Sequence, residues 1–296
     1  MAADEPDEQP IGAHPLPTPE EVGAAYDTFG HLYGLILGDS AIHIGMWAPP
    51  DGPSTAASLT GLANAAMDRQ TDHYVEALGL GPDDHLLDIG CGTGGPAVRL
   101  ARATGARVTG ITVSAEQVSS SQERAREAGL ADRVRFALGD AMKLSDDHPD
   151  AAYDAAWAID SFAHMSDRRA ALHNAWRVLR PGGRLLLTEF THRGDPRPEH
   201  LAAFRTVWSS PPPRLPAEVL ALTERAGFDL LRIENHTGSL QVTGDLMSVL
   251  YHDHHEQILR RYGSETVAGM DAMMPVLREF LRDHLGYHVF LLRKPR

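Results

Sequence analysis

The chain of 296 residues has a single cysteine, Cys91. No internal disulfide can form, so a reducing compartment, the cytoplasm, is expected. No basic-then-apolar leader opens the sequence, so no signal peptide is expected. No apolar run approaches the ~20 residues that span a bilayer. Cationic side chains are the minority: 27 Lys and Arg stand against 40 Asp and Glu, a net charge of −13. That field repels phosphate backbones and anionic lipids, so neither nucleic acid nor membrane is an expected partner. The zinc-protease pattern H-E-x-x-H is absent as well. The histidines of "YHDHHEQ" (His252, His254 and His255) read as the solvated face of a helix, and no metal is expected.

Beyond a Pro-, Asp- and Glu-rich start (residues 1–19, expected as a disordered tail), the chain alternates helical and strand patterns. Thr18 with Glu21 three residues on marks a helix start over "PEEVGAAYDTFGHLYGLIL". "IHIGMW" and a turn over "APPDGPS" lead to a long amphipathic helix ending in "ALGL". Then "HLLDIG", "ARVTGITV", "RVRFALGD", "YDAAWAID" and "GGRLLLTEF" read as buried strands separated by helices. The helix after "ITV" has Ser114 as cap and Gln117 at the capping-box position. Strict alternation implies parallel β-α-β units in a doubly wound α/β sheet. Helical segments at about 195–225 and 240–285 interrupt the last third, and "GYHVFLLRKP" closes it. The expected organisation is a helical lid over 20–60 and a main domain over 61–296. The two insertions cap the carboxyl edge of the strands, where ligands bind.

The loop Gly90-Cys91-Gly92-Thr93-Gly94-Gly95 satisfies G-x-G-x-x-G, the dinucleotide pattern. Yet Asp88 ends the preceding strand, where an acid sits poorly beside a pyrophosphate. A dinucleotide fold also wants an acid about 20 residues on, and Thr112 stands there instead. A cationic ligand without phosphate suits Asp88 better.

The stretch "LLDIGCGTGGPAVRLARATGARVTGITVSAEQV" followed by "AGLADRVRFALGDAM" resembles class I S-adenosylmethionine-dependent methyltransferases. With "IHIGMW", "AIDSFAHMSDRRAAL" and "RVLRPGGRLLLTEF", it is most similar to the branch holding the rebeccamycin sugar O-methyltransferase and the sarcosine/dimethylglycine N-methyltransferases. The resemblance spans roughly residues 24 to 192. It implies a Rossmann-like seven-stranded sheet whose last strand is antiparallel, and S-adenosyl-L-methionine as cofactor. It implies cofactor contacts from Asp88, Gly90, Cys91, Gly92, Thr112, Ser114, Gln117, Asp140, Ala141 and Asp160, with Tyr26 and Trp47 from the lid. His43 and Tyr33 become candidates for the substrate.

Methyl transfer places a nucleophile behind an already activated methyl, and an alcohol acceptor also has a proton to lose. His164, just past the fourth strand, is the expected general base, and Glu189 at the end of the fifth its orienting partner or a substrate contact. The expected acceptor is a small, partly apolar molecule in natural-product tailoring, oxygen first, then carbon of an activated ring, then nitrogen. Rival expectations are the same fold reused as a cyclase or scaffold, and a nicotinamide-dependent oxidoreductase. Homodimer formation is left open.

Overall fold

The computed structural model describes residues 16–47, 56–144 and 147–296. Of the expected tail over 1–19, residues 1–15 lie outside the described residues, as does the turn over "APPDGPS", and Pro19 already belongs to the first helix. Helix α1 (Pro19–Leu37) starts where Thr18 and Glu21 predict, with the capping box formed in both directions. Helix α2 (Leu59–Leu78) is capped by Ser58 and ends at Gly79 in the left-handed region.

Strands β1 (His85–Ile89), β2 (Arg107–Thr112), β3 (Val134–Leu138), β4 (Tyr153–Ala158) and β5 (Leu179–His192) alternate with helices α3 (Gly95–Thr104), α4 (Ala115–Glu127) and α5 (Arg168–Val178). Helices α6 (Pro198–Trp208) and α7 (Pro216–Arg225) precede β6 (Asp229–Asn235). Helices α8 (Thr237–Asp253), α9 (His255–Tyr262) and α10 (Ser264–Glu279) precede β7 (Leu285–Arg293). The sheet order is β3-β2-β1-β4-β5-β7-β6, with β7 antiparallel to both its neighbours. A crossover at β1 sends the chain first to β2 and β3, then back to β4 on the other side. The ends of β1 and β4 therefore diverge into a crevice, the usual ligand position in such sheets.

Strand residues alternate between two cores. Leu86, Val108, Phe136, Trp157 and Leu186 face the side packed by α1 to α4 and the cap, while Leu87, Ile111, Ala156 and Leu187 face α5 and α7. This period of two with both faces apolar is why these strands read as continuous hydrophobic runs. One local expectation fails. Ser114 caps α4 by accepting from the Gln117 amide, but the Gln117 side chain does not reach back. Its Oε1 instead accepts from Thr112 Oγ1 at 2.7 Å, and the Ser114 amide donates to the same hydroxyl at 3.3 Å. Thr112 outcompetes the capping box for both groups, and this turns Gln117 toward the crevice.

Candidate active site

A cleft opens over the carboxyl ends of β1, β2, β3 and β4. The glycine loop forms its floor. The Gly90 and Cys91 amides both donate to the Ile111 carbonyl at 2.9 Å, folding the loop back onto β2. Gly90 has φ +76°, and a Cβ there would fall 2.2 Å from that of Ser161. Gly92 has φ +53° with open space where a Cβ would stand. The first glycine is required by packing and the second leaves bare backbone facing the cleft. Asp140 follows β3 and accepts from the Met142 amide at 2.8 Å, which caps the short turn bearing Ala141 and sets both residues on the wall.

The roof comes from α1 and the loop after it. Asp27 accepts from Ser114 Oγ at 2.5 Å, tying α1 to the start of α4 and bringing Pro19, Val22 and Tyr26 over the cleft. Tyr26 donates to His164 Nε2 at 2.9 Å. On the far side of the ring Ser210 lies 3.1 Å from Nδ1 and gives its own proton to the Trp208 carbonyl at 3.0 Å. The Nδ1 proton is therefore on His164, and its Nε2 carries the lone pair that Tyr26 meets. Burial holds the His164 pKa down to about 4, so the ring is neutral near pH 7. Burial likewise pushes the Tyr26 phenol well above its ordinary range.

Asp160 closes the wall at the end of β4, with φ +52°, a strained value for a residue with a side chain. Its amide donates to Thr188 Oγ1 at 2.8 Å, and its carboxylate accepts from Tyr287 at 2.5 Å and Thr188 at 2.9 Å. Tyr287 also meets Gln70, whose Oε1 accepts from the Gly45 amide at 2.8 Å. Asp160 thereby communicates with the loop that carries His43. Burial raises Asp160 to about 6 despite the bonds it accepts.

Of the expected residues, the cleft brings together Tyr26, His43, Gly90, Cys91, Gly92, Thr112, Gln117, Asp140, Ala141, Asp160 and His164. Five others stand elsewhere. Asp88 is buried behind the loop, its Oδ2 without a hydrogen-bond partner among the described residues, and burial raises it to about 7. Ser114 is spent on Asp27 and the α4 cap. Trp47 does not reach the cleft: its indole donates to the Ile44 carbonyl at 3.1 Å and to Thr243 Oγ1 at 2.9 Å, pinning the lid loop to α8. Tyr33 donates to the Val207 carbonyl at 2.8 Å and packs beside Tyr26.

Glu189 does not orient His164. It is fully buried and pairs with the buried Arg168 at 3.4 Å, and burial raises its pKa to about 7 against the pull of that guanidinium. The expected histidine–carboxylate dyad is thus replaced by a Tyr26–His164–Ser210 chain.

Residues 86–183 match the model of a methyltransferase domain. The 27-O-demethylrifamycin SV methyltransferase of Amycolatopsis mediterranei is 44% identical over 174 residues, 59% of this chain and 60% of that protein. Methyltransferase GfsG of Streptomyces halstedii is 36% identical over 251 residues, 84% of this chain and 85% of its own length. The chain belongs to the class I methyltransferases. Among solved structures, the [4+2]-cyclase SpnF superposes on this methyltransferase with a TM-score of 0.80 at 35% identity, covering 96% of the chain and 99% of SpnF.

Residues not expected from the sequence also build the cleft of this methyltransferase: Thr93, Met142, Ser161 and Met165 line it, and Ser210 holds the histidine. Met142 directly follows "GDA", so its position was legible. Ser210 was not, because its partner lies 46 residues away across the cap.

Proposed function

We propose that this methyltransferase transfers the methyl of S-adenosylmethionine to a hydroxyl of a small natural product. The cofactor supplies a methyl already activated on a sulfonium. The cleft suits it: the bare backbone at Gly92 admits close approach, Asp140 and Ala141 on the wall would offer a carboxylate and a backbone amide to an adenine amino group and ring nitrogen, and no cationic side chain lines the wall among the described residues. Thr112, Gln117 and Asp160 would complete the hold. The observation that carries the acceptor assignment is the neutral His164 with its Nε2 lone pair on the Tyr26 hydroxyl, both at the cleft wall. An acceptor hydroxyl entering there displaces or joins that phenol, and its proton passes toward Nε2 as the oxygen attacks. Ser210 holds the ring so that Nε2 is the accepting atom throughout. The test is mass spectrometry of a hydroxylated acceptor after incubation with labelled methyl donor.

Two observations favour a second reading, the same fold holding the cofactor without spending it. Both His164 nitrogens are already hydrogen-bonded within the chain, and the [4+2]-cyclase SpnF is alike over almost the whole length. Under it a substrate changes connectivity at constant mass and the cofactor level stays unchanged.

A further inference from the structure

A second constellation lies apart from the cleft, where α2 meets the end of β6. Nε2 of His73 lies 2.7 Å from Glu234 Oε2, and Nε2 of His236 lies 2.8 Å from the same oxygen. All three donor atoms fall within 4.8 Å of one another, and the two rings sit 5.8 Å apart, tilted by 43°. Arg232 holds the other carboxylate oxygen at 2.6 Å, which leaves Oε2 as the single oxygen presented to both imidazoles. The side chains are part-exposed, at 31%, 20% and 11%, so an ion has a way in.

We propose that His73, Glu234 and His236 form a zinc-type divalent metal site that clamps α2 to the edge of the sheet. Two imidazoles and one carboxylate, with a fourth position open to water, are a common three-ligand zinc set. Zinc holds such ligands at about 2.0–2.2 Å, which separates them by about 3.3 Å in a tetrahedron. Each nitrogen needs to part from the shared oxygen by about half an ångström from the observed 2.7 and 2.8 Å, and the two nitrogens, already within 4.8 Å, to settle at about the same 3.3 Å. Each Nε2 then binds through its lone pair with the ring proton on Nδ1, so that two neutral imidazoles and one carboxylate face the ion. The site also has a mechanical consequence. His73 packs beside Tyr74, which accepts from Gln70, and Gln70 holds the lid at Gly45. Fixing His73 to β6 steadies the helix from which the lid loop hangs.

The test uses the full chain, stripped with chelator and then titrated with Zn²⁺ and, separately, Co²⁺. The expected result is one equivalent of Zn²⁺ retained per chain and a visible Co²⁺ spectrum of tetrahedral intensity. His73→Gln and His236→Gln should each weaken binding at least tenfold, while His255→Gln, in the exposed α9 cluster, leaves it unchanged. Loss of binding in His255→Gln alone overturns the assignment, as does undiminished binding in the His73→Gln/His236→Gln double variant. If those variants do not fold, the wild-type Co²⁺ titration decides alone: octahedral, weak absorption or no stoichiometric uptake contradicts the site.

Discussion

Tyr26 gives its phenolic proton to Nε2 of His164 at 2.9 Å, joining the lid helix to the loop after β4 across 138 residues. This bond closes the roof of the cleft and aims the histidine lone pair. Removing either partner should therefore cost turnover through the same step. His164→Ala is expected to lower kcat by about 10²-fold, within the range for a lost acid–base group, with cofactor affinity kept within a few-fold. Tyr26→Phe should lower it at least tenfold, and the double variant should be little worse than His164→Ala. Full additivity, measured by steady-state kinetics, would mean that the two act separately.

The pH dependence follows from burial. His164 in the folded chain is held down to about 4, so its base form persists as the medium is acidified past the ordinary histidine range. The acid limb of kcat/KM should appear near pH 4 to 5, not near 6.5. A half-maximal point at 6.5 that disappears in His164→Ala would show the ring to be solvated, contrary to the geometry.

Asp88 makes an opposite pH statement about stability. Its folded pKa, raised to about 7 by burial, exceeds the unfolded value near 3.8. The folded chain keeps a proton that the unfolded chain loses, so this contribution is complete below about pH 4 and disappears as pH rises through 7. Asp88→Asn, which cannot ionise, should gain melting temperature relative to the parent between pH 4 and 7. Parallel curves for the two proteins would refute a buried carboxyl that keeps its proton in the folded chain.

Glu189 and Arg168 form a buried pair, not part of the base. Glu189→Ala leaves the Arg168 guanidinium without its partner and should destabilise the fold by about 3–5 kcal/mol. Glu189→Gln, at a temperature where it remains folded, should keep kcat within a few-fold. A loss in Glu189→Gln as large as in His164→Ala would restore the dyad that the sequence suggested.

The two glycines of the loop are separable. Gly90→Ala should lower both melting temperature and cofactor affinity, because its Cβ meets Ser161. Gly92→Val points into open space and should lower cofactor affinity by at least a hundredfold, with only the few-degree penalty of a side chain at positive φ. Equal thermal losses in the two variants would contradict this division.

The sheet type, the start of α1 and the floor of the cleft were legible because they rest on local signals: short apolar runs alternating with helical patterns, Thr18 with Glu21 as a cap, glycines at fixed offsets. His164 was legible on the cleft wall because it follows a strand, and strand ends face the ligand edge; Asp140 was legible there through the resemblance of "GDAM". The partners of those residues were not legible. Ser210 comes from "SSPPPRLP", which reads only as a loop, and nothing near it in sequence points to a histidine. Trp47 and Tyr33 carried an aromatic signal without a direction, and tertiary packing sent both to backbone carbonyls. Glu189 went to Arg168 because a guanidinium buried one helix away stabilises it more than a neutral imidazole can.

The most direct measurement incubates the purified chain with S-adenosylmethionine carrying a labelled methyl and with hydroxylated small-molecule acceptors, and follows both products by mass spectrometry. The account predicts one labelled methyl on an acceptor oxygen for each S-adenosylhomocysteine formed. A cofactor that binds but is never consumed, beside a substrate rearranged at unchanged mass, would contradict it.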